Sequence, residues 1–226
     1  PLITETGHPP AAMFKNRAAM LAKADHFQLA MDDYVRAIRR DPGDSAAVDG
    51  LVKTALILKK PGEALDAIGT ADTPEAKVGR TKLLAADGKR DDAISLARQS
   101  AETSPLGLEQ LAALFADAAD TVQLDAAVAG LRKAAPNRAS TEYYPAVGAF
   151  LHDDANEAVA RAERAIAIDP NYAPTYDLIG AAYTKLDRLE PARQAFHKSL
   201  AFDAHHSTAY ETLGVLELNA GNHAAA

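Results

Sequence analysis

APTYDLIGAAYTKLDRLEPARQAFHKSLAFDA, residues 173–204, decides the fold. It holds two helix-forming runs with small residues, Gly180 and Ala192, set where a larger side chain would push crossing helices apart. Tyr183 and Phe196 are the large side chains that would fill the space between neighbouring segments. The same beat extends outward. Ala158, Ala192 and Ala226 are separated by 34 residues each, as are Ala30 and Ala64, and Pro136 and Pro170 keep that interval too. A period near 34, with small residues at one phase and proline at another, marks tandem helix–turn–helix repeats. Such repeats stack side by side into a solenoid that presents an extended surface.

Laid out on that period, repeats span 11–44, 45–73, 74–104, 105–138, 139–172 and 173–206, with an incomplete seventh over 207–226. The starts at Ala11, Ser45, Pro74, Pro105, Ala139, Ala173 and Ser207 are 34, 29, 31, 34, 34 and 34 residues apart, so the second and third repeats are trimmed. Residues 1–10, PLITETGHPP, lack a helical period and read as an extended arm or linker. The chain resembles the tetratricopeptide-repeat (TPR) family from residue 11 onward. Tyr176, Ile179, Gly180, Tyr183, Ala192 and Phe196 stand at that family's phases, and Tyr210, Leu213 and Gly214 repeat the first half. Ala30, Tyr34, Ala37 and Pro42, then Ala158, Ala162, Ala165 and Pro170, match its second half. Pro42, Pro136 and Pro170 would stop the second helices. The resemblance implies an all-α, right-handed superhelical solenoid of about six and a half repeats.

Departures single out two repeats. Leu124 stands where alanine is expected, and Arg80–Thr81 where Leu–Gly is expected, so looser or altered geometry is expected over 74–138. Ala204 replaces a closing proline. The seventh repeat breaks off at Ala226 inside its second helix, and the chain opens on Pro1. The sharper reading is an excerpt of a longer polypeptide, the blander one a disordered tail.

The net charge of −7 argues against nucleic acid, whose phosphates demand a basic stripe, and against an anionic membrane surface. No apolar run approaches the ~20 residues of a membrane helix. With no cysteine, disulfides, thiol catalysis and cysteine metal sites are excluded, while cytoplasm and periplasm both stay open for a soluble repeat array.

Chemistry is hard to find. Asp91–Asp92 and Asp153–Asp154 read as caps preceding second helices, and Asp32–Asp33 as a solvated face. His205 and His206 lie near His197 and could hold a metal, but adjacent histidines in a turn diverge and no cysteine supports them. His8, His26, His152 and His223 are scattered. No phosphate loop, nucleophile elbow or dinucleotide fingerprint is present. We therefore expect no enzyme activity and no cofactor.

In the TPR family the first helix of each repeat lines the concave face, where ligands bind. The resemblance places Lys15 and Ala19, Asp49 and Lys53, Val78 and Lys82, and Glu109 and Ala113 there. Tyr143, Val147 and Phe150 follow, then Asp177, Ala181 and Thr184, then Glu211, Val215 and Leu218. The lysines fall in the first half and Glu109, Asp177 and Glu211 in the second, around an aromatic–aliphatic patch suited to a peptide anchor near Tyr143 and Phe150. Those two rings could equally pack against the sixth repeat, and Pro145 restricts where the fifth repeat's helix can begin. The carboxylate clamp of chaperone-binding members is absent, with Lys15 alone of its residues and Ala19, Gly50, Glu75 and Gly79 at the others. The asparagine ladder of sugar-transferase members is absent too: its phase reads Asn16, Gly50, Gly79, Gln110, Tyr144, Leu178 and Thr212.

The leading expectation is a non-catalytic scaffold or adaptor binding a protein or peptide partner in the groove. The alternative is a TPR helper region of a larger transferase or hydrolase, used for substrate docking or oligomerisation. Self-association through an open end is a third reading.

Overall fold

The computed structural model describes residues 9–202 and 207–219, and all regular structure in them is α-helical. The helices are α1 (Ala11–Lys23), α2 (Phe27–Ile38), α3 (Ser45–Ile57), α4 (Pro61–Ile68), α5 (Pro74–Ala86), α6 (Arg90–Ala101) and α7 (Pro105–Asp117). They continue with α8 (Thr121–Ala134), α9 (Ser140–Leu151), α10 (Ala155–Ile168), α11 (Pro174–Lys185), α12 (Leu189–Phe202) and α13 (Ser207–Asn219). The arm over 1–8, Ala204, His205–His206, His223 and Ala226 lie outside the described residues.

Two compact units divide the chain between Leu114 and Phe115. In the N-terminal unit α1 packs on α2, α3 on α4 and α5 on α6, while α1 also touches α3 and α3 touches α5. Met31, Ile38, Leu51, Val52 and Leu83 fill its core. In the C-terminal unit α9 packs on α10, α11 on α12, and α9 touches α11, with Leu178 and Ile179 at the centre.

One backbone device makes every hairpin. The turn from first to second helix passes through one residue with positive φ: Asp25, Lys59, Gly88, Ala119, Asp153 and Asp187, at 53–77°. The next amide reaches back to a carbonyl five residues earlier, as in His26 N–H to Leu21 O at 2.9 Å and Lys60 N–H to Ala55 O at 2.8 Å. Lys89 to Leu84, Asp120 to Phe115, Asp154 to Ala149 and Arg188 to Tyr183 repeat it at 2.9 Å. This is the Schellman closure, which satisfies carbonyls a helix end leaves bare. Its left-handed position favours glycine, yet only Gly88 among the six is one.

Small side chains set the helix crossings. The residues at one phase of the second helices, Ala30, Ala64, Ala93, Leu124, Ala158 and Ala192, are all 0% exposed. Leu124 is thus accommodated as a core residue rather than a defect. A Cβ on Gly180 would stand 2.8 Å from the Phe196 ring, so that ring occupies the space the glycine leaves. Thr81, in the other departing repeat, is buried with its hydroxyl donating to Lys77 O at 2.9 Å, and Arg80 donates to Gly69 O at 3.0 Å.

Helix starts come from short polar side chains. Asp44 accepts from the Ala46 and Ala47 amides at 3.1 Å, Thr73 from Ala76 at 3.2 Å, Asp120 from Gln123 at 3.1 Å and Asp154 from Glu157 at 3.0 Å. Three sequence readings need correction. Asp91 and Asp92 do not precede α6 but sit inside its first turn, where a carboxylate meets the helix dipole. Asp153 is the left-handed turn residue and pairs with Lys185, leaving Asp154 alone as the cap. Pro145 does not delimit α9, which starts at Ser140 and carries the proline inside. Pro42, Pro136 and Pro170 follow helices that have already ended at Ile38, Ala134 and Ile168.

Candidate functional site

In the N-terminal unit α3, α5 and the start of α7 enclose a cavity of ≈ 230 Å³. Val48, Val52, Val78, Gly79 and Leu106 form its apolar wall, and the charged Asp49, Glu75 and Lys82 also line it. Asp49, Val78 and Lys82 are residues the sequence assigned to the groove; Val52 and Leu106 are not. Gly79 keeps the wall close, since a Cβ there would stand 2.5 Å from a Val48 methyl. Lys53 is drawn to Asp49 at 2.9 Å along its own helix. Lys15 is half-buried and bonds Asp44 at 2.5 Å, tying α1 to the cap of α3. Glu109 is half-buried on α7.

The largest surprise in this unit is Asp33. Read from sequence as solvated, it is buried at 1% exposure in α2. Arg17 grips it from α1 with two bonds, one of them 2.6 Å, and Arg36 adds a third at 2.8 Å. The Arg17 hydrogen bonds hold its carboxyl below the usual range, against the opposing effect of burial. The guanidiniums of Arg17, Arg36 and Arg40 stand 5.7, 5.9 and 4.7 Å from the centre of the Phe14 ring, a cation–π cluster. Neither feature was legible as a motif, because Phe14 and Arg17 lie on α1 while Asp33 and Arg36 lie on α2 and Arg40 in the turn after it.

In the C-terminal unit Tyr143, Val147 and Phe150 share one face of α9 and pack on Ala146, Leu178 and Ile179, the last two from α11. Packing against the sixth repeat, one of two options in sequence, is what the structure shows. The Tyr143 ring meets Tyr144 and Tyr172 edge-on at 5.0 and 5.3 Å. Burial first, then the charges of Asp177 and Asp117, push its hydroxyl up to about 12. Tyr143 and Asp177, 34 residues apart, are therefore electrostatic neighbours. Lys185 sits 4.7 Å over the Phe150 ring. Ala181 and Thr184 are half-buried, the latter bonded to Gly180 O at 2.8 Å. Glu211, Val215 and Leu218 follow an i, i+4, i+7 spacing on α13 and are all exposed, so that face is open.

Among the described residues no group of three or more His, Asp or Glu side chains could hold a metal ion. Among them, too, no helix is long and apolar enough to cross a membrane. His197 is exposed on α12.

No protein-family model and no curated protein matches the chain. Solved structures do. The crystal structure of the APC/C hetero-tetramer Cut9–Hcn1 aligns over 91% of this chain at 18% identity and a TM-score of 0.63. This chain spans 42% of the Cut9–Hcn1 chain it matches. A tetratricopeptide repeat protein from Parabacteroides merdae ATCC 43184 aligns over 94% of this chain and 87% of its own, at 13% identity and a TM-score of 0.59. At such identities the likeness is one of fold, and it agrees with the hairpins, crossings and turns above: the chain has the all-α helical-repeat fold of the tetratricopeptide-repeat proteins.

Proposed function

We propose that the chain is a non-catalytic interaction scaffold that binds a partner protein or peptide on the face of its first helices. The observation that carries this reading is the aliphatic cavity between α3 and α5, open beside charged side chains and built by a glycine that keeps two repeats close. Apolar walls with a few polar groups are what orient a bound side chain. Within the C-terminal unit, Val215 and Leu218 add exposed apolar surface on α13. A net charge of −7 favours a polypeptide partner over nucleic acid.

The test is retention of partners from cell lysate by the wild-type chain beside Val78→Asp and Tyr143→Ala/Asp177→Lys variants of unchanged helicity. Val78 is only half-buried, so the aspartate can be solvated while it spoils the apolar wall. Partners lost with Val78→Asp place the site in the N-terminal unit, and partners lost with the double variant place it in the C-terminal one. Identical catches from all three proteins would refute binding on this face.

A further inference from the structure

The charges around the cavity are unequal in one respect. Asp49 is paired with Lys53 at 2.9 Å. Glu75 and Lys82 are different: among the described residues neither side chain takes part in a hydrogen bond or an ion pair. Both line the cavity from α5, seven residues apart, with Val78 and Gly79 between them. At 1.5 Å per helical residue they stand about 10 Å apart, too far to neutralise each other directly. Glu75 lies in the first turn of α5, where a carboxylate meets the helix dipole. An apolar hole is thus bracketed by one open anion and one open cation.

Resting on the scaffold reading above, we infer that this site takes an extended peptide segment whose aliphatic anchor is flanked by one basic and one acidic residue. In an extended chain residues i, i+2 and i+4 point the same way and span about 13 Å. A Lys–x–Leu–x–Glu pattern therefore sets its leucine over Val48, Val52, Val78 and Leu106, with its lysine at Glu75 and its glutamate at Lys82. The reversed pattern fits equally with the chain running the other way, so the charges select direction. A doubly basic or doubly acidic segment sets one like-charged pair together.

Four capped pentapeptides test this: Lys-Ser-Leu-Ser-Glu, Lys-Ser-Leu-Ser-Lys, Glu-Ser-Leu-Ser-Glu and Gln-Ser-Leu-Ser-Gln. Each is titrated into the whole chain at low salt, and affinity is read from amide shifts in NMR spectra. Exposed ion pairs of this kind change affinity roughly two- to fivefold each. The wild-type chain should prefer the mixed-charge peptide. Lys82→Glu should move the preference to the doubly basic peptide and Glu75→Lys to the doubly acidic one. Four equal affinities, unmoved in both charge variants, would overturn the charge inference while leaving the groove in place, provided Val78→Asp weakens all four. Binding untouched by Val78→Asp, or no binding of any peptide to the wild type, would overturn both.

Discussion

Replacing Ala119 with glycine should stabilise the protein, against the usual rule that glycine weakens helical structure. Ala119 sits at φ 53°, in the turn closed by Asp120 N–H to Phe115 O at 2.9 Å. Holding an alanine there costs roughly 1–2 kcal/mol through the clash of its Cβ with the following carbonyl. Glycine removes that cost but gains freedom in the unfolded chain worth about 0.4–1 kcal/mol. The difference leaves a net stabilisation of roughly 0.5–1 kcal/mol. Gly88 provides the mirror experiment. It has φ 77°, the same closure from Lys89 to Leu84 at 2.9 Å, and nothing within 4 Å of a built Cβ. Gly88→Ala therefore meets no neighbour and reads the backbone term alone, with the opposite sign and a similar size. For a chain of this length about 1 kcal/mol moves the melting midpoint by about 2–4 °C. Thermal melting followed by far-ultraviolet circular dichroism measures both variants, with hydrogen exchange at the Asp120 and Lys89 amides as the local readout. A lower midpoint for Ala119→Gly, or an unchanged one for Gly88→Ala, would refute the assignment of these turns.

Other expectations follow from the packing and the charges. Asp33→Asn should lower the urea midpoint at neutral pH. Because the folded carboxyl titrates below its unfolded value, that contribution is present above the unfolded carboxylate range and vanishes as pH falls through the folded one, so variant and wild type should converge in acid. Gly180→Ala brings a methyl to 2.8 Å from the buried Phe196 ring and should cost roughly 1–3 kcal/mol, measured by thermal melting. Tyr143 should ionise near 12 in an ultraviolet titration, later than an exposed tyrosine. Its folded value lies above the unfolded one, so its contribution is intact below about 10 and is lost as pH rises toward 12; Tyr143→Phe should remove that alkaline loss.

The readable part of this protein is what repeats. Ala30, Ala64, Ala158 and Ala192 announce the helix crossings because a close approach admits only small side chains, and each of them is fully buried. Gly180 was legible as a close crossing for the same steric reason, but that the Phe196 ring fills the space it leaves came from the structure. The left-handed turns were harder to see, since Asp25, Lys59, Ala119, Asp153 and Asp187 hold positions where glycine would have flagged them.

Charge and exposure were least legible. Asp33 looks like any helix-surface carboxylate until Arg17 from the neighbouring helix folds over it. Tyr143 and Phe150 offered themselves as ligand anchors or as packing against the sixth repeat, and that both rings lie half-buried beside Leu178 and Ile179 depends on the fold. The cavity needs Val48 and Val52 from one repeat, Val78 and Gly79 from the next and Leu106 from a third. The sequence by itself determined the hairpins, their period and their small-residue crossings, because those depend on side chains at fixed local spacing. Tertiary structure alone decided which carboxylate is buried, what Tyr143 and Phe150 pack on and where the α3–α5 cavity lies, because each depends on side chains that meet only after separate repeats have stacked.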